Sequence, residues 1–104
     1  MSKKWITSNL LKRVKKILTC PPDLRYQDVK IILQAFGFEE TTQQGGSHRV
    51  FILVEKREGV IYEPEDLSQL TVPVKKGRRV KRVYLKKIIE CLHLEEWYEK
   101  HKKK

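Results

Sequence analysis

Among the three histidines of the chain, His48 stands in the setting best suited to chemistry. It follows Gly45-Gly46-Ser47 and opens an apolar run over residues 50–54. Histidine takes up and returns a proton near neutral pH, because its free pKa is about 6.5. Glycine lets backbone or substrate come close, and Ser47 can donate or accept a hydrogen bond beside the ring. One reaction that needs such parts is cleavage of RNA by its own 2′-hydroxyl. It requires a base for that hydroxyl, an acid for the departing 5′-oxygen and positive charge for the phosphorane-like transition state. His48 could carry one proton transfer, and a basic turn at 75–79 could supply charge. No second acid or base stands out. On local sequence alone, the plainer reading is a hairpin turn that ends on a polar side chain.

Other chemistries find less support. His93 falls near a helix end, where an imidazolium suits the dipole, and His101 lies in a lysine tail and reads as a surface residue. Glu63, Glu65 and Asp66 sit in a solvated loop, and the remaining carboxylates form no pair. Phosphate-loop and dinucleotide fingerprints are missing. Cys20 precedes a proline and Cys91 lies on a helix stripe, so both read as packing residues with reduced thiols. With no CxxC and no His/Cys cluster at ligand spacing, neither a metal nor another cofactor is expected.

Charge is the outlier of the composition. The 104 residues hold 23 Lys or Arg against 13 Asp or Glu, a net +10. Residues 75–87 contain Lys75, Lys76, Arg78, Arg79, Lys81, Arg82, Lys86 and Lys87 with no acid among them, and four lysines lie in the tail from Lys100 on. A one-sign field of this density captures polyanions. Nucleic acid is the first expected partner, anionic membrane the second and an acidic protein the third. Tyr84 and Trp97 could stack on bases, although Trp97, with Tyr98 and Trp5, reads more readily as packing. No apolar run spans a bilayer and no secretory signal is visible, so a cytoplasmic protein is expected. The length suits one domain with one core.

The elements that must position these residues follow from periodicity. Residues 5–18 predict a helix capped by Thr7 or Ser8, with Leu10, Val14, Ile17 and Leu18 on one face and Lys12, Arg13, Lys15 and Lys16 on the other. Pro21-Pro22 ends it. Residues 26–36 predict a second helix with Val29, Ile32, Leu33 and Phe36 as its stripe, and Gly37 as a left-handed cap. Phe38 can pack back on that stripe. The period then changes to 2. Residues 39–44 form a weak strand, 48–56 a strong central one, 57–68 a loop, and 69–74 a third strand that Pro73 confines to an edge or an end. A last helix covers 81–92, and 94–98 adds a turn. The fold class is α+β: an α-β-β-β-α portion with a three-stranded antiparallel sheet, helices on one face, and an extra N-terminal helix. This is the element order of the double-stranded-RNA-binding fold.

Several motifs recur in a meaningful order: Val29-Lys30-Ile31-Ile32-Leu33 with Gly37-Phe38, then Gly46-Ser47-His48-Arg49-Val50-Phe51, Leu70-Thr71-Val72-Pro73-Val74, a basic turn, Leu85-Lys86-Lys87-Ile88-Ile89, and Leu94-Glu95-Glu96-Trp97. Their order and spacing, from Asp23 to Trp97, resemble the HicA toxin family, the small mRNA interferases of bacterial and archaeal toxin–antitoxin pairs. The resemblance implies a double-stranded-RNA-binding-like fold, metal-free cleavage of mRNA as an endoribonuclease, and inhibition by a HicB-type antitoxin that covers the site. It carries the catalytic histidine onto His48 and the preceding glycine and serine onto Gly46 and Ser47. Where many members have a histidine just after the Val-Pro of the third strand, this chain has Lys75. Lysine replaces charge there but not proton transfer at neutral pH. Active-site support is thus expected from Gly46, Ser47 and Lys75, and RNA binding from Lys75, Lys76, Arg78, Arg79, Lys81, Arg82 and Lys86. The chain divides into a helical extension over 1–22, the HicA-like portion over 23–98 and a basic tail over 99–104. The extension lies beyond the usual core and could pack on it, extend an RNA surface or make a dimer contact. A non-catalytic RNA-binding module using the same basic surface is the rival reading. A domain that docks an acidic partner is the third.

Overall fold

The computed structural model describes residues 4–41, 48–75 and 78–102. The first helix, α1 (Ser8–Leu18), begins three residues later than its apolar pattern predicts. Thr7 adopts an extended backbone and its hydroxyl accepts a hydrogen bond from Leu10 N at 3.1 Å, which fixes the helix start. Trp5 is thereby released from the helix. It stacks on Trp97 at 5.8 Å and meets Phe36 edge-on at 5.2 Å.

Strand β1 (Asp23–Arg25) follows the double proline, then α2 (Tyr26–Ala35), β2 (Phe38–Glu40), β3 (His48–Leu53) and β4 (Gln69–Pro73). After these come β5 (Arg79–Lys81), α3 (Arg82–Leu92) and α4 (Leu94–His101). The architecture is α+β. One antiparallel sheet has the order β2-β3-β4, with β3 central as the sequence predicts. A second sheet, β1-β5, is not predicted by the sequence. Its three-residue strands are too short to show a period of two, and Leu24 and Val80 are buried where they pair. The 94–98 turn extends to a full helix, because Leu94 and Trp97 both reach the core.

The helices cover one face of the larger sheet. Phe51, Leu70 and Val72 point into a core with Val29, Ile32, Leu33, Leu85 and Leu92. Alternation along β3 sends His48, Val50 and Ile52 to the other face, where Ile52 remains 41% exposed. So β3 is central without being buried on both sides. α1 contributes Leu10, Val14 and Ile17 to the same core, the latter two with no exposed surface.

Gly37 closes α2 at φ +99°, as its place after the stripe predicts. Its carbonyl accepts hydrogen bonds from Val54 N at 2.8 Å and Glu55 N at 3.2 Å, so helix end and strand end meet there. A Cβ at this position would lie 1.8 Å from the Glu55 carbonyl oxygen. The loop after β3 is pinned by Tyr62, whose hydroxyl donates to Phe36 O at 2.6 Å and accepts from Arg57 N at 2.9 Å. Burial raises the Tyr62 phenol above its usual pKa.

Three expectations follow. Gly37→Ala must relieve both a left-handed backbone and a backbone collision, so it should cost on the order of 3 kcal/mol or more in urea unfolding. Ile17→Ala should cost about 2–5 kcal/mol, whereas a helix lying loosely on the surface would show almost no change. Burial holds the Tyr26 and Tyr62 phenols protonated, so their contribution is full below about pH 10 and is lost as pH rises beyond it. Melting temperature should therefore fall more steeply above about pH 10 in the parent than in Tyr26→Phe/Tyr62→Phe.

Candidate active site and nucleic-acid interface

His48 is the first residue of β3, and it is exposed. Register places it opposite Pro73, the last residue of β4. Leu53 N donates to Ser68 O, so the alternation of the ladder makes His48 and Pro73 a non-hydrogen-bonded pair, and the N–H that Pro73 lacks would face the outer edge of β4. On the same face lie Val50 and, across from it, Thr71. Of the support residues, Lys75 is exposed two positions beyond Pro73, while Gly46 and Ser47 lie outside the described residues, as does Lys76.

A tight turn follows. Lys75 N donates to Arg79 O at 2.8 Å, and Arg78 N donates to Lys75 O at 2.9 Å. Arg78 adopts a left-handed backbone at φ +59° to close it. Arg79 then starts β5, and its Nε donates to Asp23 Oδ1 at 2.9 Å, tying the turn to β1. Lys81 caps α3 without a side-chain hydrogen bond, and Arg82 is its first residue. Lys75, Arg78, Lys81 and Arg82 are all exposed. The first turn of α3 has no acid, so the positive end of its dipole adds to their field. Register and the Lys75–Arg79 bridge thus place Lys75 and the turn through Arg78 next along the chain from the strand end opposite His48, while Lys81 and Arg82 follow at the end of β5 and the start of α3. Lys86 lies elsewhere. It lines a cleft of about 650 Å³ shared with Glu63, Glu90, Glu95 and Glu96.

Behind His48, its chain neighbour Arg49 turns to the helix side. The Arg49 guanidinium lies over the Tyr26 ring at 5.6 Å, and its Nη1 is 3.7 Å from Glu40 Oε2. Lys30 Nζ reaches the same carboxylate at 3.4 Å. Tyr26 N donates to Arg78 O at 2.8 Å, so the first residue of α2 links the basic turn to β3. Burial lifts the Tyr26 phenol pKa well above 10. The Glu40 carboxylate adds to the effect, and Arg49 and Arg78 oppose it.

The remaining candidates take structural places. His93 ends α3 at φ +49°, and its Nε2 sits 2.8 Å from Glu63 Oε1. His101, expected on the surface, packs on Trp97 at 4.8 Å with its Nδ1 2.8 Å from the Trp97 carbonyl. Trp97 is 3% exposed and has no face for a base. Tyr84 is half-buried against the core. Cys20 and Cys91 are free thiols, and burial raises the pKa of Cys91, which suits packing rather than attack. Among the described residues, no three of His, Cys, Asp and Glu converge as metal ligands. Nor is any helix among them long and apolar enough to cross a membrane.

The sequence reading misses one charged cluster. Asp28, 3% exposed, is the only buried charged residue among those described, and Arg13, Lys16 and Arg25 surround it. Three cations at spacings of 15, 12 and 3 residues from one acid leave no periodic trace.

Comparison with curated proteins and with solved structures yields no match. Comparison with family models yields one, the HicA toxin of bacterial toxin–antitoxin systems, over residues 26–94. That span runs from the first residue of α2 to the first of α4 and includes His48, Lys75 and the basic turn. This chain, whose sheet end sets an exposed histidine beside a cationic turn, belongs to the HicA toxin family.

Proposed function

We propose that this chain is the RNA-cleaving toxin of a toxin–antitoxin pair, acting on mRNA in the cytoplasm, with His48 as general acid or base. One observation carries the reading: the register of β3 and β4 sets exposed His48 at the strand end from which Lys75 and the basic turn continue. In the proposed reaction the 2′-hydroxyl attacks the adjacent phosphorus and the bond to the 5′-oxygen breaks. The products are a 2′,3′-cyclic phosphate and a 5′-hydroxyl end. The 2′-proton goes to a base and another proton reaches the departing oxygen. His48 makes one of these transfers, while Lys75 and Arg78 offset the charge gathering on the non-bridging oxygens. Gly46 and Ser47 support His48, and Lys76, Arg79, Lys81 and Arg82 hold the backbone. No metal enters this scheme. A HicB-type antitoxin would inhibit by covering the same cationic end.

Lys75 favours the rival reading, a module that binds RNA without cutting it, since lysine is a poor proton-transfer group at neutral pH. Incubation of purified protein with RNA in EDTA separates the two. The parent should cut the RNA, leaving 5′-hydroxyl ends, and His48→Ala should be slower by about 10²–10⁴. Undiminished cleavage by His48→Ala would reject the assignment of His48. Intact RNA with a salt-sensitive gel shift would establish the binding module.

A further inference from the structure

The segment ahead of the family match carries most of the net charge. Residues 1–25 hold seven Lys or Arg against a single acid, Asp23, which accounts for +6 of the net +10. Two observations give this charge a place.

The segment is fastened to the basic turn. Arg25 pairs with Arg79 across β1 and β5, and Arg79 bridges to Lys75. Pro22 O accepts a hydrogen bond from Arg82 N at 3.0 Å. A ladder from Arg25 through Arg79 to Lys75 therefore runs sideways, at about 5 Å per step, toward the strand end that holds His48.

Arg25 also belongs to the cluster around Asp28. Arg13 Nε lies 3.4 Å from Asp28 Oδ1, and Lys16 Nζ and Arg25 Nε lie 3.5 and 3.7 Å from Oδ2. Their side chains are 32%, 55% and 64% exposed. Bracing α1 against α2 needs one cation on a buried carboxylate. Three leave a surplus of positive charge, carried on side chains that are a third to two thirds exposed. Donors from two elements, held by one central acid, suit an anion with several acceptor oxygens. A phosphodiester is such an anion.

We propose that Arg13, Lys16 and Arg25, gathered by Asp28, form a second phosphate-contact site that extends the RNA track from the sheet end onto α1. This rests on the RNA reading above and adds residues that the family match does not include. Lys12, exposed and four residues before Lys16, continues the track along the helix.

The test is binding of a single-stranded 2′-O-methyl RNA, which lacks the attacking hydroxyl, over a salt series. Arg13→Gln/Lys16→Gln/Arg25→Gln should bind at least about tenfold more weakly near 0.1 M salt. The slope of log affinity against log salt should be shallower by about 2, since each single-strand phosphate contact contributes about 0.7. A control of equal charge, Lys56→Gln/Lys100→Gln/Lys102→Gln, should change affinity by less than about threefold. Equal losses in the two triples would mean that only net charge matters and would overturn the site. So would parent-like binding by the first triple. A parent that fails to bind the probe would overturn the RNA reading and the site together. Because the first triple leaves Asp28 unpaired, a version that adds Asp28→Asn keeps the comparison open if folding suffers. Photo-crosslinking of the parent to a 4-thiouridine 2′-O-methyl probe needs no substitution. Crosslinks should appear within residues 12–25, and crosslinks confined to residues 48–86 would reject the proposal.

Discussion

The pairing of β3 with β4 is the constraint on which the candidate site depends. In the observed register His48 lies opposite Pro73, and Phe51 opposite Leu70 inside the core. A slip of one residue along a strand exchanges its two faces. Here it would drive His48 toward the helices and expel Phe51, which has no exposed surface, into water. The hydrophobic cost of exposing that ring, about 1.5–3 kcal/mol, thus helps to hold the histidine on the open face. Core packing sets the face on which the histidine stands, and the proline opposite it lies on the edge strand of the sheet.

That arrangement is only partly legible in the sequence. The helices are, because Leu10, Val14 and Ile17, and again Val29, Ile32 and Leu33, recur at the helical period, and all six are buried. The Gly37 cap and the place of His48 at the start of a central strand are legible too, since each rests on a local signal of a few residues. The β1-β5 sheet is not, because three residues carry no pattern and their partners lie more than fifty positions away. Asp28 is hidden for another reason. A lone acid in the first turn of a basic helical region reads as a solvated charge, and only the arrival of α1 buries it.

Charge shows the same division. The acid-free stretch over 75–87 is conspicuous in the sequence, yet the structure splits it, leaving Lys75 and Arg78 in the turn after β4, Lys81 and Arg82 at the start of α3 and Lys86 in a cleft with four carboxylates. The cations of α1 look in the sequence like the wet side of an amphipathic helix. β1 and α2 convert two of them, together with Arg25, into a built cluster: Arg13 and Lys16 meet Arg25 at a shared acid.

The cleft beside Lys86 gives the molecule an electrical polarity. α3 begins at Arg82 among cations and, about 16 Å further along, ends near Glu63, Glu90, Glu95 and Glu96. A protein charged this way does more than drift toward a polyanion. In the field of a polyanion such a distribution would feel a torque as well as an attraction, which would turn the carboxylate end away and the end of α3 that starts at Arg82 toward it. Orientation then begins before contact, so fewer encounters are wasted on the wrong face.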